Sequence, residues 1–138
     1  MLRTLILYTV LLSLLLVSSG CAVNPATGKR ELSIVPVSTE EEVRIGKTSF
    51  PHILQKMGGE YPDEDLQAYI QQVGSRLAVA SHRQDISYTF RVVNDSTPNA
   101  FALPGGYIAI TRGLLVHLQS EDQLAAVLGH EIGHVDAR

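Results

Sequence analysis

Hydrophobic and polar positions change period several times along the chain, and each change marks an element. Ser38 reads as an N-cap. Glu40, Glu41 and Glu42 in the turn after it suit the positive end of a helix dipole, as a solvated helix start. The pattern predicts a helix from Thr39 to Thr48, a break or restart at Pro51, and a second piece reaching Met57 before Gly58-Gly59. Asp63 opens a longer helix with Leu66, Ile70, Val73, Leu77 and Val79 on or near its apolar face, ending around Ser81. Ile86, Tyr88, Phe90 and Val92 then alternate with Ser87, Thr89 and Arg91, the period of a half-buried strand.

A loop over Asn94 to Pro98 leads into Asn99-Ala-Phe-Ala-Leu, the turn Pro104-Gly105-Gly106, and Tyr107-Ile-Ala-Ile-Thr, which read as a β-hairpin. A short helix from about Gly113 to Leu118 follows. Ser120 caps the last helix, which opens at Glu121 and carries Leu124, Val127, Leu128, Ile132 and Val135 as an apolar stripe. Helix, helix, strand, hairpin, helix, helix is an α+β order with a small antiparallel or mixed sheet.

The last stripe contains His130-Glu-Ile-Gly-His134, an H-E-x-x-H pattern. Two histidines four apart on a helix are separated by about 6 Å of rise and about 40° of rotation, so both imidazoles can reach one metal ion. Glu131, about 100° from His130, can hold a water beside that metal as a proton acceptor. A carboxylate on a buried stripe is unfavourable by several kcal/mol unless it is paired or bound to something, so Glu131 calls for a partner. Gly129 and Gly133 each cost a helix about 1 kcal/mol relative to alanine and suggest a closely packed backbone beside them. His52 and His82 read as surface residues, His117 as a residue of the preceding short helix that is not a ligand, and Asp136 as a solvent-exposed residue on another face.

Composition narrows the class. The 138 residues fit one domain, and 45% hydrophobic with 18% charged residues is ordinary for a globular protein with an apolar leader. A net charge of -3 gives no basic footprint for nucleic acid, and one cysteine excludes an internal disulfide framework. Met1-Leu2-Arg3, the leucine-rich run from Leu5 to Val17, and Ser18-Ser19-Gly20 form the layout of a secretory signal peptide. Cys21 then stands where a bacterial lipoprotein signal is cut and lipidated. The segment resembles a lipobox, with Ser18 where an aliphatic residue is usual. The alternative is an uncleaved anchor, since Thr4 to Gly28 carries no charge and is just long enough to span a bilayer. On the lipoprotein reading residues 1–20 are the signal peptide, residues 21–37 a tether rich in turn residues, and residues 38–138 the folded part. Ala22 after the cysteine by analogy permits sorting to the outer membrane, so the chain is expected at its periplasmic face.

With hairpin and helix in view, the chain resembles the zinc metallopeptidases of family M-48, which include the HtpX-like and CAAX-prenyl-endopeptidase-like enzymes, and especially their bacterial envelope lipoprotein members. The resemblance rests on Cys21-Ala-Val-Asn-Pro-Ala-Thr-Gly, Gly74-Ser-Arg-Leu-Ala, Asn99-Ala-Phe-Ala-Leu-Pro-Gly-Gly-Tyr, Thr111-Arg-Gly-Leu-Leu and His130-Glu-Ile-Gly-His-Val. It implies a zincin-like metallopeptidase domain in which His130 and His134 ligate one Zn2+ per subunit and Glu131 is the general base. Zinc lowers the pKa of water from about 15.7 towards 7, so the implied reaction is peptide hydrolysis by a metal-activated water. It also implies that Asn99, Ala100, Phe101 and Ala102 form an edge that pairs with an extended substrate by strand addition. From the residues alone, Asn99 and Phe101 read as a turn former and a core aromatic.

Catalytic zinc takes three protein ligands and leaves a place for water. The third ligand of the resembled family is a glutamate on a later helix, with no match here, so the sequence reads as the N-terminal part of a longer catalytic domain. The expectation is weak zinc binding and little peptidase activity for the chain alone. The expected substrates are unfolded or misassembled cell-envelope proteins. The competing reading is a non-catalytic envelope lipoprotein fragment that binds unfolded strands or assists outer-membrane protein assembly.

Overall fold

The computed structural model describes residues 37–137 and, ahead of them, a short antiparallel pair, β1 (Ala22–Val23) with β2 (Arg30–Glu31). The expected signal peptide, Cys21 and most of the tether lie outside the described residues. No helix among the described residues is long and apolar enough to cross a membrane.

Helix α1 (Thr39–Lys56) starts where Ser38 Oγ accepts from Glu41 N at 3.2 Å. It runs unbroken through Pro51, against the expected break. Phe50 and Leu54, four apart on one face, are both buried against Val93 and Ala109. That packing outweighs the hydrogen bond Pro51 cannot donate. The acidic start is solvated at Glu40 but not at Glu42, which is buried and pairs with Arg83. Helix α2 (Glu64–Ala78) opens on Asp63, whose Oδ1 accepts from Leu66 N at 2.9 Å. It seats Ile70, Val73 and Gly74 on the sheet, where a side chain at Gly74 would collide with the Phe90 ring. Val79 falls beyond the helix and is exposed.

The sheet contains β3 (Thr89–Val93), β4 (Ala100–Leu103) and β5 (Tyr107–Thr111) in the order β3-β5-β4. It is mixed: β5 runs parallel to β3, from Thr89↔Tyr107 to Val93↔Thr111, and antiparallel to β4, from Ala100↔Ile110 to Leu103↔Tyr107. The expected hairpin is therefore β4–β5. Gly105 and Gly106 turn it at φ values of 79° and 85°, a region that disfavours other residues. Helix α3 (Arg112–Leu115) follows directly, capped by the buried Thr111, and α4 (Glu121–Ala137) closes the described fold.

Side chains divide the sheet into two faces. Phe90, Val92, Ile108 and Ile110 form the main core with Ile70 and Val73 of α2 and with Leu124, Leu128, Ile132 and Val135 of α4. Ala100 and Ala102 pack against this core, while Phe101 and Leu103 pack on the smaller α1 cluster. The alternation along β4 is that of a strand between two layers.

The sheet's two edges are treated differently. Gln67 of α2 accepts from Val92 N and donates to Val92 O, and Gln71 accepts from Phe90 N and donates to Tyr88 O. Tyr61 N also donates to Val92 O, and Asn94 N to Gly59 O. The outer edge of β3 is thereby occupied. The outer edge of β4 meets no strand among the described residues.

Candidate metal centre and substrate edge

Ser120 Oγ accepts from Gln123 N at 3.3 Å and starts α4, the helix that carries the site. Its apolar stripe is buried in the main core, which fixes the rotation of the helix and turns His130 and His134 to the exposed side. Their rings meet edge to face with centroids 4.5 Å apart, and their Nε2 atoms are 3.0 Å apart. Two nitrogens on one tetrahedral zinc, each about 2.0–2.1 Å from it, lie about 3.3 Å from each other. Glu131 is buried at 7% exposure, and one carboxylate oxygen lies within 4.8 Å of both histidine nitrogens. Two imidazoles and an adjacent carboxylate fit a zinc-type divalent cation, for which imidazole is a favoured ligand.

The expectation for Gly129 and Gly133 is overturned. A Cβ at either position would have no neighbour within 4 Å among the described residues, because both lie on the exposed side of α4 with the histidines. His52 and His82 are exposed, as expected; His117 is exposed too, and none of the three joins the cluster.

Asp136 is also not where the sequence put it. It is 6% exposed and accepts from Ser81 Oγ at 2.6 Å, His82 N at 3.1 Å and Tyr88 OH at 3.2 Å. These bonds tie the last turn of α4 to the segment that leads from α2 into β3. Burial pushes the Tyr88 phenol up to about 12; Ser81's hydrogen bond opposes this and the Asp136 charge adds to it. A signal was present: Asp136 is four residues beyond Ile132 and eight beyond Leu128, on the buried stripe.

A second polar cluster had no signal in the pattern. Arg83, 4% exposed, pairs with Glu42 of α1 at 2.9 Å and with Asp85 at 2.9 Å. The Arg83 hydrogen bond, with another from Thr39 Oγ1, holds the Asp85 carboxyl down at about 2.

The structure brings β4 against α4. Of the four residues expected in the substrate edge, Ala100, Phe101 and Ala102 lie in β4. Asn99 precedes it; its N–H donates to Thr111 Oγ1 at 3.0 Å and its carbonyl accepts from Thr111 N at 2.9 Å. Phe101 sends its side chain to the α1 cluster, as a core aromatic, and by the register of the ladder its backbone bonds β5, so the outward N–H and C=O groups are those of Ala100 and Ala102.

The profile of peptidase family M48 matches residues 64–138, from the start of α2 through the H-E-x-x-H helix. A putative β-barrel assembly-enhancing protease of Vibrio cholerae is 43% identical over 76 residues, 55% of this chain and 16% of that protein. The mitochondrial metalloendopeptidase OMA1 of Schizosaccharomyces pombe is 33% identical over 120 residues, 83% of this chain and 34% of that protein. A protease HtpX homolog of Pyrobaculum calidifontis is 40% identical over 88 residues, 61% of this chain and 24% of that protein. The chain thus spans about a third or less of these relatives.

Proposed function

The chain belongs to peptidase family M48, and on that premise we propose that it carries the catalytic helix of a zinc-dependent endopeptidase acting on unfolded or misassembled cell-envelope proteins. The observation that carries this reading is the convergence of His130 and His134, with Nε2 atoms 3.0 Å apart, beside the buried carboxylate of Glu131. His130 and His134 would hold one zinc ion. When bound, zinc supplies a Lewis acid that makes water nucleophilic at neutral pH.

Glu131 takes the proton from the attacking water and returns it to the leaving amine, the work of a general base and then acid. The core contacts of α4 and the Asp136 bonds hold the two imidazoles in register. The open edge of β4 gives an extended peptide main-chain partners with little demand on its sequence, which suits unfolded substrates. Ala100 and Ala102 supply that edge, and Asn99 anchors its start. A hydrolytic role on envelope proteins agrees with the named activity of the Vibrio cholerae relative.

The same reading takes residues 1–20 as a signal peptide, residues 21–37 as a tether lipidated at Cys21, and residues 38–138 as part of the peptidase domain at the periplasmic face of the outer membrane. Radiolabelled palmitate incorporated by the protein and not by Cys21→Ser supports the anchor, and equal labelling of both contradicts it. The proteolytic claim is tested with the protein expressed from its own gene and an unfolded outer-membrane protein as substrate. Cleavage by the wild type and none by Glu131→Gln is expected. Equal loss of substrate with both, or protection of substrate by both, would instead fit a strand-binding role without catalysis.

A further inference from the structure

Beside His134 lies a groove of about 320 Å³ between α1, the β4–β5 hairpin and α4. Val37 and Ile45 form one wall, Ala102 and Leu103 at the end of β4 form another, and His134 with Val135 closes it. We propose that this groove is a specificity subsite that takes one large apolar side chain of the substrate next to the scissile bond. The inference rests on the peptidase reading and adds to it a substrate class.

Three observations carry it. The groove is continuous with both parts of the site, since His134 opens into it and Ala102 ends the edge along which a peptide would lie. An extended peptide sends successive side chains to opposite faces at about 3.3 Å per residue, so a strand added to β4 directs one side chain into a pocket at the end of that strand. The walls are apolar and open: Val37 and Ile45 are 44% and 37% exposed, solvent contact that an apolar side chain would relieve. The carboxylate that lines the groove, Glu42, is compensated by the buried Arg83 at 2.9 Å, so a cationic side chain finds no unpaired charge there.

The α1 wall is built into the fold. A side chain at Gly46 would collide with the Pro104 carbonyl and the Tyr107 ring, and one at Gly105 would approach Val43 Cα to 2.6 Å. Helix and hairpin turn therefore touch backbone to backbone, which fixes the width of the groove. Val37, Glu42 and Ile45 all precede the residues matched by the family profile.

The test uses zinc-loaded protein carrying Glu131→Gln, so that peptides bind without being cut. Fluorescein-labelled nine-residue peptides of serine and threonine carry one central position varied through Leu, Phe, Lys, Asp and Gly, and binding is read by anisotropy. Leu and Phe peptides are expected to bind about tenfold or more tightly than Lys, Asp and Gly peptides. Adding Ile45→Glu or Val37→Glu, both at solvent-exposed positions, should abolish that preference and leave the Gly peptide unchanged. Equal binding of all five peptides, or a preference that survives both substitutions, would overturn the subsite and leave strand addition standing. No binding by any peptide would overturn both.

Discussion

Gln67 meets Val92 twice: its side-chain amide accepts from the Val92 N–H and donates to the Val92 carbonyl, both at 2.9 Å. A helix side chain stands where a neighbouring strand would bond β3, and Gln71 repeats the arrangement at Phe90 and Tyr88. An unprotected strand edge is a template for pairing with other chains. Here one edge is filled from within, and the edge beside the histidines meets no strand among the described residues. Gln67→Leu removes both bonds and leaves a buried amide without its partner. It should lower unfolding stability by about 1–3 kcal/mol in urea titration, while zinc binding at α4 is unchanged.

Asp136 connects the metal helix to the rest of the fold through Ser81, His82 and Tyr88. Asp136→Ala strands buried donors and should destabilise the protein by about 1–3 kcal/mol. Asp136→Asn keeps an acceptor and should lose less. Calorimetry should also find weaker zinc binding in the alanine variant, because His134 lies two residues from the lost anchor.

Arg83→Met leaves Glu42 buried without its cation. Breaking a buried pair from one side typically costs about 3–5 kcal/mol, whereas replacing both partners is often close to neutral. Chemical denaturation should therefore find the double variant Arg83→Met, Glu42→Leu more stable than Arg83→Met alone.

Asp85 supplies a pH dependence. Its carboxyl titrates at about 2 in the fold, below its ordinary value of 3.8, because Arg83 and Thr39 bond the ionised form. A depressed carboxylate contributes stability that is full above its unfolded value and is lost as pH falls through the folded one. The Arg83–Asp85 contribution should therefore be constant above pH about 4 and decline between about 4 and 2. Asp85→Asn should flatten the stability profile in that window, measured by thermal melts across pH.

Much of this was legible in the sequence because local rules governed it. Asp63 and Ser120 cap as their residue types predict, Pro104-Gly105-Gly106 turns a hairpin, and the α4 stripe is buried as its period requires. H-E-x-x-H fixed the site because helical spacing alone brings His130 and His134 together. What was missed depends on contacts distant along the chain. Nothing near Pro51 reveals that Phe50 and Leu54 dock on Val93, or near Glu42 that Arg83 waits for it. Gly129 and Gly133 have the residue type of a packing face, but residue type alone does not distinguish a glycine against a neighbour from one with none among the described residues.

The most direct test of the metal site is zinc binding by titration calorimetry and elemental analysis on four proteins. Wild type and Glu131→Gln should bind zinc with the same weak affinity, because Glu131 is assigned to proton transfer and His130 and His134 are two of the three ligands that catalytic zinc takes. His130→Ala and His134→Ala should each lose it. Zinc retained with unchanged affinity by either histidine variant, or absent from the wild type, would contradict the account.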